Sequence, residues 1–219
     1  MNSASGPARR PLKTRERRWA RALAVRLAAW GVRPNAVSAA SVVFAAGAGT
    51  LLAFSLEKNG DSRAPLLVGA AACVQLRLLC NMLDGLIAVE GGFASRAGEV
   101  WNDLPDRIAD PLVLIGAGLA VRRLPGGVPL GWLAALLALL TAYVRMLGGA
   151  LRLPQSFAGP MAKPQRMFIV TVGCLAAAVE AGLGGAPWAL LGALLIVVAG
   201  AVVTVVRRTL RIVSELESR

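Results

Sequence analysis

Histidine is absent from this 219-residue sequence, and cysteine occurs only three times. Without an imidazole, the protein has no histidine general base, no histidine ligand for haem and no serine–histidine–aspartate triad. Cys73, Cys80 and Cys174 lie in apolar runs without a CxxC spacing, which favours small buried side chains over a zinc site or a disulfide framework. Acid–base chemistry must therefore come from carboxylates, the single tyrosine, lysines or bound water.

Charged residues are scarce as well, at 16% of the chain against 56% hydrophobic residues. Apolar runs recur at about the 20-residue length that crosses ~30 Å of hydrocarbon. We therefore predict an all-α polytopic membrane protein with six transmembrane helices, preceded by an amphipathic interfacial helix. The predicted spans cover residues 36–56, 65–89, 99–121, 128–151, 166–183 and 187–206.

The net charge of +12 is concentrated at the two ends of the chain. Nine arginines and lysines precede the first span, opposed only by Glu16, and Arg207, Arg208 and Arg211 follow the last. The positive-inside rule then predicts that both termini are cytoplasmic, in agreement with an even number of spans. We read this charge as a topology signal of a multi-pass protein of the cell membrane, and we expect no nucleic-acid partner.

Three regions follow from this pattern. Residues 1–34 form a basic cytoplasmic segment, residues 35–210 the six-span membrane domain, and residues 211–219 a cytoplasmic tail. Within the first region, Trp19, Leu23, Leu27 and Trp30 recur near helical spacing, with arginines on the other side. This arrangement predicts a helix over residues 14–33 that lies in the membrane interface. The opening residues are polar, so we expect no cleavable signal peptide.

Polar and small side chains recur at fixed spacing in the second and third predicted spans: Asn81, Asp84, Gly85, Ala88, Gly98, Asn102 and Asp106. A carboxylate near hydrocarbon is costly unless it faces water, a metal or a partner. At about 100° per residue, Asn81 and Asp84 share one helix face, and Asn102 and Asp106 share another. The short connection predicts antiparallel neighbours whose polar faces meet. Hard oxygen ligands gathered in this way suit Mg²⁺ or Mn²⁺ together with substrate phosphates.

This spacing resembles the signature of the CDP-alcohol phosphotransferases, six-span membrane enzymes with a cytoplasmic site. Their motif reads Asp, two residues, Asp-Gly, two residues, Ala-Arg, eight residues, Gly, three residues, Asp, three residues, Asp. The matching residues, in register and without a gap, are Asp84, Gly85, Ala88, Gly98 and Asp106. Three positions depart from the motif. Asn81 and Asn102 stand where the family usually has aspartate, and Val89 stands where it has arginine.

The resemblance implies a reaction in which an alcohol attacks the metal-bound phosphates of a CDP-linked lipid, such as CDP-diacylglycerol, and CMP leaves. It implies that Asp106 is the general base and that the ligands of Mg²⁺ or Mn²⁺ are Asn81, Asp84, Asn102 and Asp106. It places the CDP moiety at Asp84, Gly85, Ala88 and Gly98, and it implies a homodimer. The loss of two carboxylates should weaken a pair of divalent ions considerably. Nearby substitutes are Glu99, Asp103 and Asp110, of which Asp110 is best placed, one turn after Asp106.

Basic residues also surround the loop between the fourth and fifth spans. Fixed cations there suit a phosphorylated or acidic alcohol, because guanidinium groups match phosphate oxygens. The region resembles the phosphatidylinositol phosphate synthase branch, in which basic residues hold the acceptor phosphate. This resemblance implies that Arg145, Lys163 and Arg166 bind the acceptor. An inside-positive loop accounts equally well for any one of these charges.

Some alternatives stay open at this stage. Arg77 lies in the middle of a span, where it either faces the site or snorkels. Asp106 has a purely structural alternative, in which it pairs with Arg77 or Arg107 as helix packing. At the level of function, the three departures from the motif also fit a non-catalytic lipid-binding protein. A cation or proton transporter is less favoured, because the acids cluster near one face and leave the outer halves of the spans apolar.

Overall fold

The computed structural model describes residues 18–56, 60–93, 97–154 and 156–218, without the side chains of Asp61, Glu99 and Asn102. Every regular element in these ranges is an α-helix, so the predicted all-α fold is confirmed. The helices are α1 (Arg18–Ala29), α2 (Pro34–Ser55), α3 (Gly60–Glu90), α4 (Gly98–Ala120), α5 (Gly127–Ala150), α6 (Lys163–Gly182) and α7 (Trp188–Glu217).

Proline sets the start of two of these helices. Pro34 opens α2, and Arg33 before it has extended backbone angles of φ −83° and ψ 144°. Proline suits the first helical turn because its missing N–H has no partner there in any case, and it keeps the preceding residue extended. At α6 the proline is the second helical residue, since extended Ala162 is followed by Lys163 and then Pro164, which still lies within the first turn. Both starts lie within three residues of the predicted boundaries.

Helices α2 to α7 coincide with the six predicted spans. Five of them (α2, α3, α5, α6 and α7) are long and apolar enough to cross a membrane. The exception among the described helices is α4, which has 23 residues but contains Asp103, Asp106, Arg107 and Asp110. Helix α7 continues to Glu217, so residues 211–217 of the expected tail are helical. The chain is a multi-pass membrane protein in which one helix concentrates the charge.

Helix α2 packs against both α3 and α4, α3 also packs against α6, and α4 against α5. The polar faces of α3 and α4 meet as predicted, since Arg77 and Asn81 of α3 donate hydrogen bonds to Asp106 of α4. Direct backbone proximity between these two helices is nevertheless sparse. The physical reason is that long charged side chains fill the space between their polar faces. Because α2 contacts both helices, their relative position is still fixed.

Glycine contacts hold α4 close to its two packing partners. A Cβ atom on Gly116 of α4 would lie 2.5 Å from the Cα of Gly49 in α2. A Cβ on Gly118 would lie 2.8 Å from the Cα of Gly131 in α5. Both crossings are therefore backbone-to-backbone contacts of the kind that small residues allow in membrane helices. They fix the helix that carries Asp106.

Helix α1 lies against α3, near the carboxyl end of that helix. Ala20 and Ala24 are fully buried and pack in one cluster with Leu86 and Ile87. Trp30 is 77% exposed, as expected for a ring at the membrane interface. The predicted interfacial helix thus begins at Arg18 in the described part of the chain, and residues 14–17 lie outside it.

Candidate active site

The carboxylate of Asp106 is buried on α4 and is surrounded by donors from two other helices. Its Oδ1 atom accepts hydrogen bonds from Nη2 of Arg77 at 3.1 Å and Nδ2 of Asn81 at 2.9 Å. Its Oδ2 atom accepts one from Nζ of Lys163. A carboxylate offers about four acceptor positions, so among the described residues these three donors leave one position, at Oδ2. Asp106 therefore retains a single position for a further hydrogen bond or a proton.

Asp110, one turn further along α4, is clamped between two arginines. Nη2 of Arg77 donates to its Oδ1 at 2.5 Å, and Nη2 of Arg166 donates to its Oδ2 at 2.6 Å. Arg166 is itself held by Nη1 contacts to Thr141 Oγ1 and the carbonyl of Met161, both at 3.1 Å. Both oxygens of Asp110 thus serve ion pairs, although its position had suggested a substitute metal ligand. Arg77 is completely buried and faces the site, which excludes snorkelling.

Asp84 has different surroundings from the two acids of α4. Its Oδ2 accepts a hydrogen bond from the hydroxyl of Ser38 at 2.8 Å, and its Oδ1 from the backbone N–H of Gly85 at 2.5 Å. Both donors are neutral. In the described part of the chain Asp84 has no ion pair, yet it lies close enough to Lys163 and Asp106 to interact electrostatically with both. It is the buried acid of the site that still lacks a cation.

Two of the small motif residues, Gly85 and Ala88, lie close to this acid on α3, and the third begins α4. Gly85 contributes the N–H just described, Ala88 is half-buried one turn beyond Asp84, and Gly98 opens α4. Val89, at the arginine position of the motif, is 63% exposed. The side chain of Asn102 lies outside the described residues, so its expected part in a metal site stays a prediction.

The basic residues near the loop between α5 and α6 occupy two depths. Lys163 and Arg145 are partly exposed, with 29% and 21% of their side chains accessible, whereas Arg166 is buried behind them. Nη2 of Arg145 donates to Oδ1 of Asp103 at 2.9 Å, and its guanidinium lies 5.8 Å from the centroid of the Phe157 ring. Cation–π contact and ion pairing together hold this arginine at the rim of the site.

Several residues of the site escaped the sequence analysis. Ser38 lies in an apolar span and gave no signal beyond being a polar side chain one turn after Pro34. Thr141 supports Arg166 through its hydroxyl, and its carbonyl accepts a hydrogen bond from Nη1 of Arg208 at 2.6 Å. These partners depend on contacts between helices distant in sequence, which a single sequence does not reveal.

A divalent cation fits the residues beside Asp84 better than those around Asp106. Among the described side chains, no group of three or more acids, cysteines or histidines could hold a metal ion. Mg²⁺, however, commonly binds one or two carboxylates and takes its other ligands from phosphates and water. Asp84 supplies a carboxylate whose hydrogen-bond donors in the described residues are both neutral, and Asn81 has an amide oxygen that accepts no hydrogen bond from them. These oxygens are suitable ligands for one hard cation.

Three solved structures of phosphatidylinositol phosphate synthase from Mycobacterium tuberculosis are similar to this structure. The form with CDP-DAG bound has a TM-score of 0.76 and 24% identity, over 90% of this chain and 94% of the synthase chain. The complex with manganese and citrate has a TM-score of 0.73 and 24% identity, over 88% of each chain. The apo form has a TM-score of 0.70 and 24% identity, over 88% of this chain and 94% of the synthase chain. The chain has the fold of this synthase.

No family model and no curated protein matches the sequence. The fold that the motif resemblance implied is confirmed, because the structural similarity covers nearly the whole chain. The activity must be argued from the site itself, because one fold hosts many functions.

Proposed function

We propose that this chain, which has the fold of a phosphatidylinositol phosphate synthase, transfers a phosphatidyl group from a CDP-activated lipid such as CDP-diacylglycerol to an alcohol, with release of CMP, in phospholipid biosynthesis. The observation that supports it is the convergence of Asp84, Asp106 and Lys163 at one end of this fold. The similar synthase was solved with CDP-DAG bound, which supports the same class of donor here.

The transfer requires one bond to form and one to break at the phosphorus that carries the diacylglycerol. The alcohol oxygen attacks this phosphorus, the bond to the CMP oxygen breaks, and the hydroxyl proton must be accepted. Asp106 is the proposed general base, and the free position at its Oδ2 is where the proton would be taken up. Arg77 and Asn81 hold the other oxygen, so the carboxylate cannot rotate freely.

The proposed ligands of Mg²⁺ or Mn²⁺ are Asp84 and the amide oxygen of Asn81, with Asn102 as a further motif position; Asp106, which the motif also assigns to the metal, is kept as the base. A bound divalent cation would neutralise phosphate charge and polarise the phosphorus for attack. Gly85 and Ala88 present little side-chain bulk near Asp84, and Gly98 is the third small residue of the motif; together they would allow the CDP moiety to approach the backbone. The similar synthase solved with manganese supports divalent-metal use.

We propose that the acceptor is a phosphorylated alcohol bound at the rim. Arg145 and Lys163 are partly exposed there, and a phosphate would place its charge between a guanidinium and an ammonium group. Arg166 lies deeper, where it donates hydrogen bonds to Asp110 and to the Met161 carbonyl. Its proposed contribution to acceptor binding is to hold these groups in position. The proposed topology follows the positive-inside rule, with the site and both termini on the cytoplasmic side of the cell membrane. The proposed oligomeric state is a homodimer.

A CMP-release assay tests this function. Purified protein in detergent is supplied with radiolabelled CDP-diacylglycerol, Mg²⁺ or Mn²⁺ and a panel of acceptors that includes inositol phosphate, glycerol phosphate and their unphosphorylated forms. We expect CMP release with at least one phosphorylated acceptor and much less with its unphosphorylated counterpart. Absence of release with every acceptor and both metals would refute the proposal.

One observation favours a second candidate, a lipid-binding protein without catalysis. Asn81 is neutral where the family motif has an acid, and three protein donors already occupy Asp106. A protein of this kind would bind CDP-diacylglycerol in nanodiscs and release no CMP. Measuring binding and release on the same preparation separates the two candidates.

A further inference from the structure

The two acids of α4 that face the site are already compensated by protein cations. In the described residues Asp106 and Asp110 form ion pairs with three cationic side chains, Arg77, Lys163 and Arg166. A divalent ion bound at Asp106 would add two positive charges to a group in which the cations already outnumber the carboxylates. Positions 81 and 102 are asparagines, so neither supplies a compensating carboxylate. Hard divalent ions are held chiefly by anionic oxygen ligands, and a close pair repels itself without them.

The contacts of Asp106 leave little capacity for a metal ion. Arg77 and Asn81 occupy Oδ1, Lys163 occupies Oδ2, and the remaining position at Oδ2 is the one that a general base needs. A metal bound to Oδ2 would have to displace the ammonium group or compete with the proton. The positive charge beside this carboxylate is thus already supplied by the protein.

Asp84 differs from Asp106 in the charge of its hydrogen-bond donors. Its two hydrogen-bond donors, the Ser38 hydroxyl and the Gly85 N–H, are neutral, and each carboxylate oxygen keeps further acceptor capacity. The amide of Asn81 donates its N–H to Asp106, which leaves its oxygen available as a second neutral ligand. Among the acids of the site, Asp84 is the one whose charge still requires a partner.

We infer that the site binds one divalent cation, at Asp84, and that the ammonium group of Lys163 replaces a second cation at Asp106. This inference specifies the metal content of the proposed active site and in that sense rests on the proposed function. It also assigns a role to the two asparagines. With Lys163 as a fixed cation, positions 81 and 102 no longer need carboxylates, and acids there would leave uncompensated negative charge.

Counting bound Mn²⁺ tests the inference without any turnover. Free Mn²⁺ is followed by its electron paramagnetic resonance signal during titration of the full-length protein in detergent, with no lipid substrate present. We expect one Mn²⁺ per chain in the wild type and at least a ~10-fold weaker affinity in Asp84→Asn. The triple variant Lys163→Gln/Asn81→Asp/Asn102→Asp should bind a second Mn²⁺, because it has lost the fixed cation and gained two carboxylates.

A matched control separates the position of the lysine from overall charge. Arg107 lies next to Asp106 in sequence and pairs with Asp103 instead. The variant Arg107→Gln/Asn81→Asp/Asn102→Asp has the same net charge as the lysine variant but keeps Lys163, so it should still bind one Mn²⁺. A second ion in this control, or two ions or none in the wild type, would overturn the inference. If the triple variants do not fold, the wild-type count and Asp84→Asn decide alone.

The outcomes for the metal count and for the function can be told apart. A protein that binds one Mn²⁺ but releases no CMP with any acceptor refutes the proposed function and leaves the metal count intact. A protein that releases CMP while binding two Mn²⁺ keeps the function and refutes the role of Lys163.

Discussion

Arg77 of α3 and Asp110 of α4 form an ion pair at 2.5 Å between helices whose backbones have few direct contacts. Arg77 is fully buried, and the same Nη2 atom also reaches Asp106 at 3.1 Å. One arginine thus joins both acids of α4 to α3. The relative position of the two motif helices depends on this side chain as well as on their shared contact with α2.

Breaking this pair should destabilise the protein. Arg77→Gln leaves Asp110 with Arg166 alone and removes a cation from Asp106, and the expected loss is about 3 kcal/mol. A double-mutant cycle with Asp110→Asn measures the coupling from thermal unfolding in detergent. The double variant should lose clearly less than the sum of the single variants. Additive losses would show that the pair contributes no coupling energy.

Replacing the proposed base should abolish turnover while leaving the protein assembled. Asp106→Asn keeps the size of the side chain but removes the position that accepts the proton, so CMP release should fall by at least ~100-fold. Glu215→Gln is the control, since Glu215 forms an exposed i,i+4 pair with Arg211 on α7. Gel filtration checks that both variants are monodisperse. Wild-type rates in Asp106→Asn would remove the catalytic assignment.

Ser38 should matter for metal activation because its hydroxyl orients Asp84. Ser38→Ala removes the 2.8 Å hydrogen bond to Oδ2, and groups that orient a metal ligand typically contribute about 10-fold to affinity. The Mg²⁺ concentration for half-maximal CMP release should rise by about that factor. Ser41→Ala is the matched control, because the hydroxyl of Ser41 is also buried but donates to the Ser38 carbonyl. Equal shifts in the two variants would contradict the role of Ser38.

The crossing of α2 and α4 should not tolerate a methyl group. In Gly116→Ala the new Cβ would lie 2.5 Å from the Cα of Gly49, which is backbone and cannot rotate away. Overpacking of this kind costs about 2 kcal/mol, so the thermal midpoint in detergent should fall. Gly192→Ala has no heavy atom within 4 Å of its Cβ and serves as the control. Equal midpoints for the two variants would argue against a tight crossing.

The sequence predicts the helices and much of the site because both rest on local spacing. Apolar runs of spanning length indicated α2 to α7, and Pro34 marked the start of α2. The spacing between Asn81 and Asp106 indicated that these side chains meet, and the structure places them 2.9 Å apart. Helical periodicity is enough for such an inference, since it fixes which residues share a face.

The contacts of the site that the sequence does not predict depend on packing between segments that are distant in the chain. Ser38 reaches Asp84 from 46 residues away, and Arg166 reaches Asp110 from 56 residues away. Neither pairing has a periodic signature. The short connection predicted that the polar faces of α3 and α4 meet, but it did not indicate that α2 would make the largest share of the backbone contacts with both helices. The sequence also left open whether the side chain of Arg77 faces the site or snorkels, because its partners Asp106 and Asp110 lie on another helix.

The polarity of α4 has a consequence for how the protein is made. A helix with three aspartates and an arginine between Gly98 and Ala120 gains too little from lipid to partition from the translocon on its own. Its acids become compatible with the bilayer when Arg77 of the preceding helix and Arg166 of a later one are in place. We therefore expect stable insertion of α4 to depend on the two helices that supply these arginines.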